Sequence, residues 1–256
     1  MIDPRAIVHP KAELADDVKV GPFSVIGADV QIDAGSEIGP HVVIKGPTSI
    51  GRDNKIYQFA SIGEDPQDKK YADEITRLEM GDRNVVREFC TLHRGTQQDQ
   101  CVTRIGSDNL FMAYAHVAHD CVVGDHVIMA NGASIAGHVH LGDHAILGGF
   151  TLVHQFTQIG EYSFSAMGSA ITQDIPPYIM VGGRPTRPHG INSVGMERNG
   201  KSPEVIRQIR QAYKILYKNN LRLEDAIEEM EGMAGESNEL SNMVSFLRNV
   251  TRGILR

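Results

Sequence analysis

Aliphatic residues recur at every sixth position along most of this chain. One register runs through Ile2, Val8, Leu14, Val20, Ile26, Ile32, Ile38, Ile44, Ile50, Ile56 and Ile62, and resumes at Met80, Val86 and Leu92. After a one-residue slip it continues as Ile105, Phe111, Val117, Val123, Met129, Ile135, Leu141, Leu147, Val153, Ile159, Ser165 and Ile171, with Ser165 as the one polar member. A period of six suits neither an α-helix nor an ordinary strand. It predicts a mainly β fold, a parallel β-helix of hexapeptide repeats in which three units close a triangular coil of about 18 residues. Neighbouring coils then stack at roughly 4.8 Å. Gly often follows the aliphatic residue, as at Gly21, Gly39, Gly51 and Gly81, and Asn recurs three positions later at Asn54, Asn84 and Asn109. These are read as corner residues tolerating positive φ. A β-sandwich is the alternative, but sandwich strands do not hold phase through their corners.

Two stretches break the pattern. EDPQDKKYADEITR, at 64–77, is polar and reads as a loop thrown out from the prism and returned in register. GTQQDQCVTR, at 95–104, accounts for the slip. Loops projecting from a regular scaffold are where function is usually placed. Beyond about Asp174, PPYIMVGGRPTRPHG is a Pro/Gly-rich connector without period. Ser202-Pro203 then supplies a helix N-cap followed by Pro at the first helical position. Ile206, Ile209, Tyr213 and Leu216 follow at helical spacing. Second and third helices are expected at 223–234 and from 237 to about 252, the last with Leu240, Met243, Val244 and Leu247 as its apolar face. The prism is expected over 1–186 and an α-helical subdomain, capping the solenoid, over 187–256.

Composition narrows the function classes. The formal charge of −7 over 256 residues does not favour nucleic acid. No run approaches the roughly 18 apolar residues of a membrane span. The opening MIDPRAIVHP lacks the charged-then-apolar form of a secretory signal. The three cysteines, Cys90, Cys101 and Cys121, form no CxxC pair and read as packing residues of a reducing, cytoplasmic setting. Against the acidic total, Arg207, Arg210, Lys214 and Lys218 fall on one face of the first helix and form a basic stripe.

The candidate chemistry is histidine. His116, His119, His126, His138, His140, His144 and His154 crowd one region. Coil counting stacks His126 on His144 and brings His119, His138 and His154 near one edge. His126, His140 and His144 read as solvated corners. His119, followed by Asp120, reads as a positioned base, since a carboxylate can hold an imidazole tautomer. Such a ridge suits either base-catalysed acyl transfer or a zinc site with an open position for water, as in a γ-class carbonic anhydrase. A non-catalytic scaffold is the third reading.

Five strings appear in order across essentially the whole chain: IYQFASIGEDPQD (56–68), TLHRGT (91–96), AHVAHDCVVG (115–124), LVHQF (152–156) and QAYKILY (211–217). Together they resemble the UDP-N-acetylglucosamine O-acyltransferase family of hexapeptide-repeat acyltransferases. The resemblance implies a left-handed β-helix, a homotrimer with sites in the clefts between prisms, and the first step of lipid A synthesis. It implies transfer of an (R)-3-hydroxyacyl chain from acyl carrier protein to the glucosamine 3-hydroxyl, the chain arriving on phosphopantetheine with no resident cofactor or metal. His119 would be the general base, Asp120 its orienting partner, and the Gly137 N–H the oxyanion donor. Gln67, Asp68, Lys70, His93, His116, His138, His154, Gln155, Asn192 and Arg198 match substrate-binding positions. The chain departs from the family pattern at Val194, Glu197 and Asn199. Met167 matches a position that measures acyl-chain length, and its bulk implies a chain nearer ten carbons than fourteen. The basic stripe would dock the acidic carrier protein.

Overall fold

The structure, a computed structural model, describes residues 1–235 and 237–256. Among these residues, short strands assemble into sheets of nine, eight and ten members, one on each face of a left-handed triangular prism. Up to residue 182 the strands pair in parallel with those a coil away, as in Ile26↔Ile44 and Ile44↔Ile62. The sixth-position residues point inward, and Ile44, Ile62, Val117 and Ile135 are fully buried. Ile2 is exposed, because the first coil has nothing beneath it. Ser165 is buried in the same column. Its hydroxyl lies 2.9 Å from Thr151 Oγ1 and accepts from the Gly148 N–H at 3.2 Å, so the polar exception is satisfied where it stands.

The corners differ from expectation. The residues in the left-handed region are mainly Phe, Tyr, His and Asp, such as Phe59 (φ 65°), Asp120 (φ 58°) and His138 (φ 62°). Their rings stack between coils, as in the column Phe23–His41–Phe59–Phe89–Tyr114 with centroids 4.9–5.3 Å apart. Glycine after the aliphatic residue answers a different need. A Cβ on Gly21 would lie 2.7 Å from the Pro40 backbone nitrogen in the next coil, so close coil packing excludes a side chain. Asn54, Asn84 and Asn109 are buried and form a ladder in which Asn54 Oδ1 accepts from the Asn84 N–H (2.9 Å) and Asn84 Oδ1 from the Asn109 N–H (3.0 Å).

Strand register measures both insertions. An uninterrupted coil is 18 residues, as in Ile44↔Ile62. Ile50↔Met80 spans 30 and Met80↔Ile105 spans 25, so the insertions add twelve and seven residues. The apparent slip of one is what remains of seven after one repeat. The first loop lies between strands Ser61–Glu64 and Arg77–Met80. The second is shorter than expected: Val102, Thr103 and Arg104 are strand, paired with Arg77, Leu78 and Glu79.

The connector without period is also β. Strand Ile179–Gly182 extends the ten-stranded sheet, and Arg187–Ile191 pairs with it in antiparallel fashion. Four helices follow among the described residues: α1 (Ser193–Arg198), which the sequence pattern did not suggest, α2 (Pro203–Lys218), α3 (Leu223–Ala234) and α4 (Asn238–Arg248). Ser202 caps α2 by accepting from the Val205 N–H. α4 stops at Arg248, four residues before the expected end, because the chain turns back at Gly253 and Ile254 bridges to Asp174 on the prism. Ile206, Ile209, Leu216, Leu240, Met243 and Leu247 are buried in one core. No helix among the described residues is long and apolar enough to cross a membrane.

Candidate active site

Eight connections run from the nine-stranded to the eight-stranded sheet along one edge of the prism, and the last five build the site. These five are the two inserted loops and the corners at His119–Asp120, Gly137–His138 and Gln155–Phe156. Stacking therefore places both insertions beside the histidines. The cleft between them holds about 660 Å³. Gln67, Asp68 and Lys70 enter it from the first loop, Gln98 and Asp99 from the second, and His119, His138, Gln155 and Phe156 from the prism. A larger hollow of about 730 Å³ near the N-terminus is lined by Lys19, Glu37, Lys55 and Tyr57 but holds no histidine, serine, threonine or cysteine.

The protonation pattern of His119 follows from its partners. Its Nδ1 lies 2.8 Å from Asp120 Oδ2. Asp120 also accepts from the Thr96 N–H (2.8 Å) and the Thr96 hydroxyl (2.6 Å), and its own N–H donates to Thr103 Oγ1 (2.8 Å). Burial works to raise the Asp120 carboxyl, but the hydrogen bonds from His119 and Thr96 outweigh it and hold the group below the ordinary carboxylate range. An ionised carboxylate only accepts, so His119 Nδ1 carries the proton and Nε2 keeps a lone pair. The His119 ring lies against the Gly137 backbone. A Cβ on Gly137 would fall 2.5 Å from His119 Cε1 and 2.8 Å from Nε2, so glycine is what lets the ring settle there. Among the described residues no acceptor takes the Gly137 N–H.

His138 is the second imidazole of the cleft. It meets His119 edge-on at 5.1 Å, stacks on Phe156 at 4.3 Å, and places Nδ1 2.7 Å from Asp99 Oδ2. His93 and His116 pack edge-to-face at 5.0 Å behind it. His116 Nδ1 pairs with Thr91 Oγ1 at 2.7 Å. Burial, then the neighbouring His116, pushes His93 down to about 4, so it is neutral near pH 7, and its Nδ1 is buried without a partner. Burial, then His119, also lowers His116.

Other expectations change. His154 stands two positions from the stacking corner, where Phe156 instead sits over His138; its ring is exposed and Nδ1 pairs with the adjacent Gln155 carbonyl. Asn192 is buried and spent within the fold, its Oδ1 capping α1 through the Gly195 N–H and its Nδ2 donating to the Tyr162 carbonyl. Arg198 is exposed at the end of α1, apart from the cleft lining. Met167 is 83% exposed. Arg207, Arg210, Lys214 and Lys218 are exposed on α2, with Arg207 paired to Glu204. His126 and His144 do stack, at 4.6 Å, on a different edge. The three cysteines are free, and burial pushes the Cys90 and Cys121 thiols up to about 11 and about 12.

Three residues with roles here had no signal in the period. Thr96 and Asp99 sit in the second loop as partners of the two histidine centres. Arg94 is buried and ties the loops together. Its guanidinium donates to the carbonyls of Gly46 (3.0 Å) and Gly63 (2.8 Å), to the Tyr71 hydroxyl (3.0 Å) and to Asp65. Counting the second insertion as seven would have placed Gly95, flanked by Arg94 and Thr96, on the edge of Asp120. His119, Asp120 and His138 offer ligand atoms within 4.8 Å of one another, close enough for a metal ion. The two Asp120 oxygens already accept three hydrogen bonds, which an ion would have to displace, so the donor set fits a hydrogen-bonded base better.

Comparison with known proteins identifies the family. Residues 174–255 match the family described as Udp N-acetylglucosamine O-acyltransferase, Domain 2, and residues 11–46 and 103–137 match the bacterial transferase hexapeptide family. The acyl-[acyl-carrier-protein]–UDP-N-acetylglucosamine O-acyltransferase of Alkalilimnicola ehrlichii is 56% identical over 255 residues, covering 100% of this chain and 99% of the relative. That of Thiobacillus denitrificans is 54% identical with the same coverage. Among solved structures, UDP-N-acetylglucosamine O-acyltransferase from Moraxella catarrhalis superposes with a TM-score of 0.97 at 43% identity, covering 100% of this chain and 99% of that one.

Proposed function

The chain belongs to the UDP-N-acetylglucosamine O-acyltransferase family, and from that premise we propose that it transfers an (R)-3-hydroxyacyl group from acyl carrier protein to the 3-hydroxyl of UDP-N-acetylglucosamine. It is an acyltransferase. The transfer opens lipid A synthesis and takes place in the cytoplasm. The observation that carries the mechanism is His119, which lines the cleft with its Nδ1 held by Asp120, itself fixed by Thr96. Nε2 removes the proton of the sugar hydroxyl as its oxygen attacks the thioester carbonyl. The Gly137 N–H donates to the oxyanion. Collapse expels the pantetheine thiolate, which takes the proton back from His119, and Asp120 stabilises the imidazolium in between. Every proton and electron pair is accounted for without a resident metal or cofactor. An assay of acyl transfer to UDP-N-acetylglucosamine from carrier-bound 3-hydroxyacyl chains tests the reading; no transfer with any chain length would end it.

The active assembly is a homotrimer. Phe23, Phe59, Phe89, Tyr114 and Phe150 are 44–71% exposed along one edge, an apolar column that neighbouring copies would cover. Leu152 on the outer face of the nine-stranded sheet, then Phe150 and Met167 at its far edge, give an apolar path leading away from the Phe156 corner. The acyl chain lies along it, against the next copy, and Met167 limits its length. Each methylene left outside forfeits about 0.8 kcal/mol. Met167→Gly is expected to move the preferred chain from about ten carbons towards fourteen, since methionine spans several methylenes. An unchanged ratio of kcat/KM between ten- and fourteen-carbon donors would remove Met167 from this role.

Carrier protein docks on the exposed face of α2. Its opposite face is apolar and buried, leaving Arg207, Arg210, Lys214 and Lys218 outward. Because Arg207 is already paired with Glu204, Arg210→Glu with Lys214→Glu is the more informative variant. It should raise KM for carrier protein and flatten its dependence on salt, while KM for the sugar nucleotide stays put. A salt dependence identical to that of the unaltered protein would place the dock elsewhere.

A further inference from the structure

The second insertion supplies a partner to each imidazole of the cleft: Thr96 to the Asp120 that holds His119, and Asp99 to His138. We propose that Asp99 is a positioning residue that acts through His138, fixing its tautomer so that Nε2 accepts a hydrogen bond from a hydroxyl of the bound sugar. The inference rests on the acyltransferase reading for the identity of the sugar, though not for the tautomer.

The geometry is specific. Asp99 Oδ2 lies 2.7 Å from His138 Nδ1. A carboxylate accepts and does not donate, so the proton of the neutral ring is on Nδ1 and the lone pair on Nε2. Phe156, stacked flat on the ring at 4.3 Å, prevents it from tipping. The edge-on contact with His119 on the other side blocks rotation about the ring axis. His138 Nε2 is 3.9 Å from Asp120 Oδ2, beyond hydrogen-bond reach, so among the described residues no carboxylate claims that nitrogen. His138 and Asp99 both line the same cleft as Gln67, Asp68 and Lys70. Without Asp99 the ring is held in place by stacking, but nothing chooses between its nitrogens. Half of the molecules would then present an N–H where the sugar also presents one.

The test compares Asp99→Ala and Asp99→Asn in the full-length protein, reading ring-nitrogen chemical shifts of His138 and His119 by NMR and UDP-N-acetylglucosamine binding by calorimetry. In Asp99→Ala, His138 should become a mixture of tautomers while His119 keeps its Nδ1–H form, and sugar-nucleotide affinity should fall about twofold, in step with the share of molecules that still present the accepting nitrogen. Asp99→Asn, whose amide oxygen can still accept from Nδ1–H, should restore the single tautomer and most of the affinity. In turnover the loss should fall on KM for the sugar nucleotide rather than on kcat. A His138 that keeps one tautomer in Asp99→Ala, or a His119 that changes along with it, would overturn the proposal, the second outcome marking Asp99 as a loop tether only. The tautomer measurement needs no substrate, so its failure is distinct from a failure of the acyltransferase reading, which would show instead as normal tautomers with no sugar-nucleotide binding in the unaltered protein.

Discussion

His119→Ala should lower kcat by about 10²–10⁴-fold while leaving KM for UDP-N-acetylglucosamine near its starting value. The split follows from where the ring sits. On the proposed mechanism His119 contributes a lone pair to a proton transfer that exists only in the transition state, whereas Gln67, Asp68, Lys70 and His138 still line the cleft in which the sugar nucleotide would bind. Retained kcat would remove the base role, and lost binding without lost kcat would make the ring a binding group. Asp120→Asn provides an internal check. Asp120 receives donors at both oxygens: the Thr96 N–H at one, and the Thr96 hydroxyl with His119 Nδ1–H at the other. An amide must turn its NH₂ towards one of these donors. Each buried group left mismatched costs about 1–3 kcal/mol. Asp120→Asn is therefore expected to lose both rate and thermal stability, while His119→Ala loses rate with little stability. The two variants together separate the base from the scaffold that holds it.

Arg94→Met should produce the other large effect. The side chain is 7% exposed and joins the coil below, the first loop and the prism in one network. Methionine fills similar volume but gives up every donor. The carbonyls of Gly46 and Gly63 lose their guanidinium bonds, and Asp65 loses its cation. At about 1–3 kcal/mol for each buried group left unsatisfied, a stability loss of about 2–4 kcal/mol is expected. Asp65 is half exposed, so water screens what its charge loses. The activity loss should exceed what instability explains, because the segment released carries Gln67, Asp68 and Lys70. Urea unfolding and sugar-nucleotide calorimetry on the same preparation check this. A destabilised protein that binds the nucleotide normally would show that the first loop keeps its place without Arg94.

The fold was largely legible because a solenoid repeats one steric demand. Every coil needs an apolar residue facing inward at the same phase, and Ile26, Ile44 and Ile62 meet it one above another. Local chemistry also located α2, since Ser202 and Pro203 are sufficient to start a helix whatever it packs on. The misreadings share a cause. Of the glycines that follow an aliphatic residue only Gly63 takes positive φ, and Asn54, Asn84 and Asn109 do not; the strain falls mainly on Phe, Tyr, His and Asp, whose rings and carboxylates recover it through stacking and hydrogen bonds between coils. The hairpin at Ile179–Gly182 and Arg187–Ile191 was missed because its antiparallel pairing breaks the six-residue period.

At the candidate site the same division holds. His119, Asp120 and Gly137 follow from the sequence and its resemblance, and the coil count alone sets His138 near them. That period is local, so it could be read without coordinates. Thr96 and Asp99 reach their partners across 24 and 39 residues, and Arg94 reaches Gly46 across 48. These contacts depend on how two irregular insertions lie over the prism, and irregular backbone is placed by hydrogen bonds to particular carbonyls and carboxylates, which leave no repeat in the chain. The sequence by itself determined a prism, its inward column and the edge bearing the histidines. Only the tertiary structure decided which nitrogen of His119 and of His138 is free, because Thr96 and Asp99, brought from the second insertion, fix the Asp120 carboxylate and accept from His138.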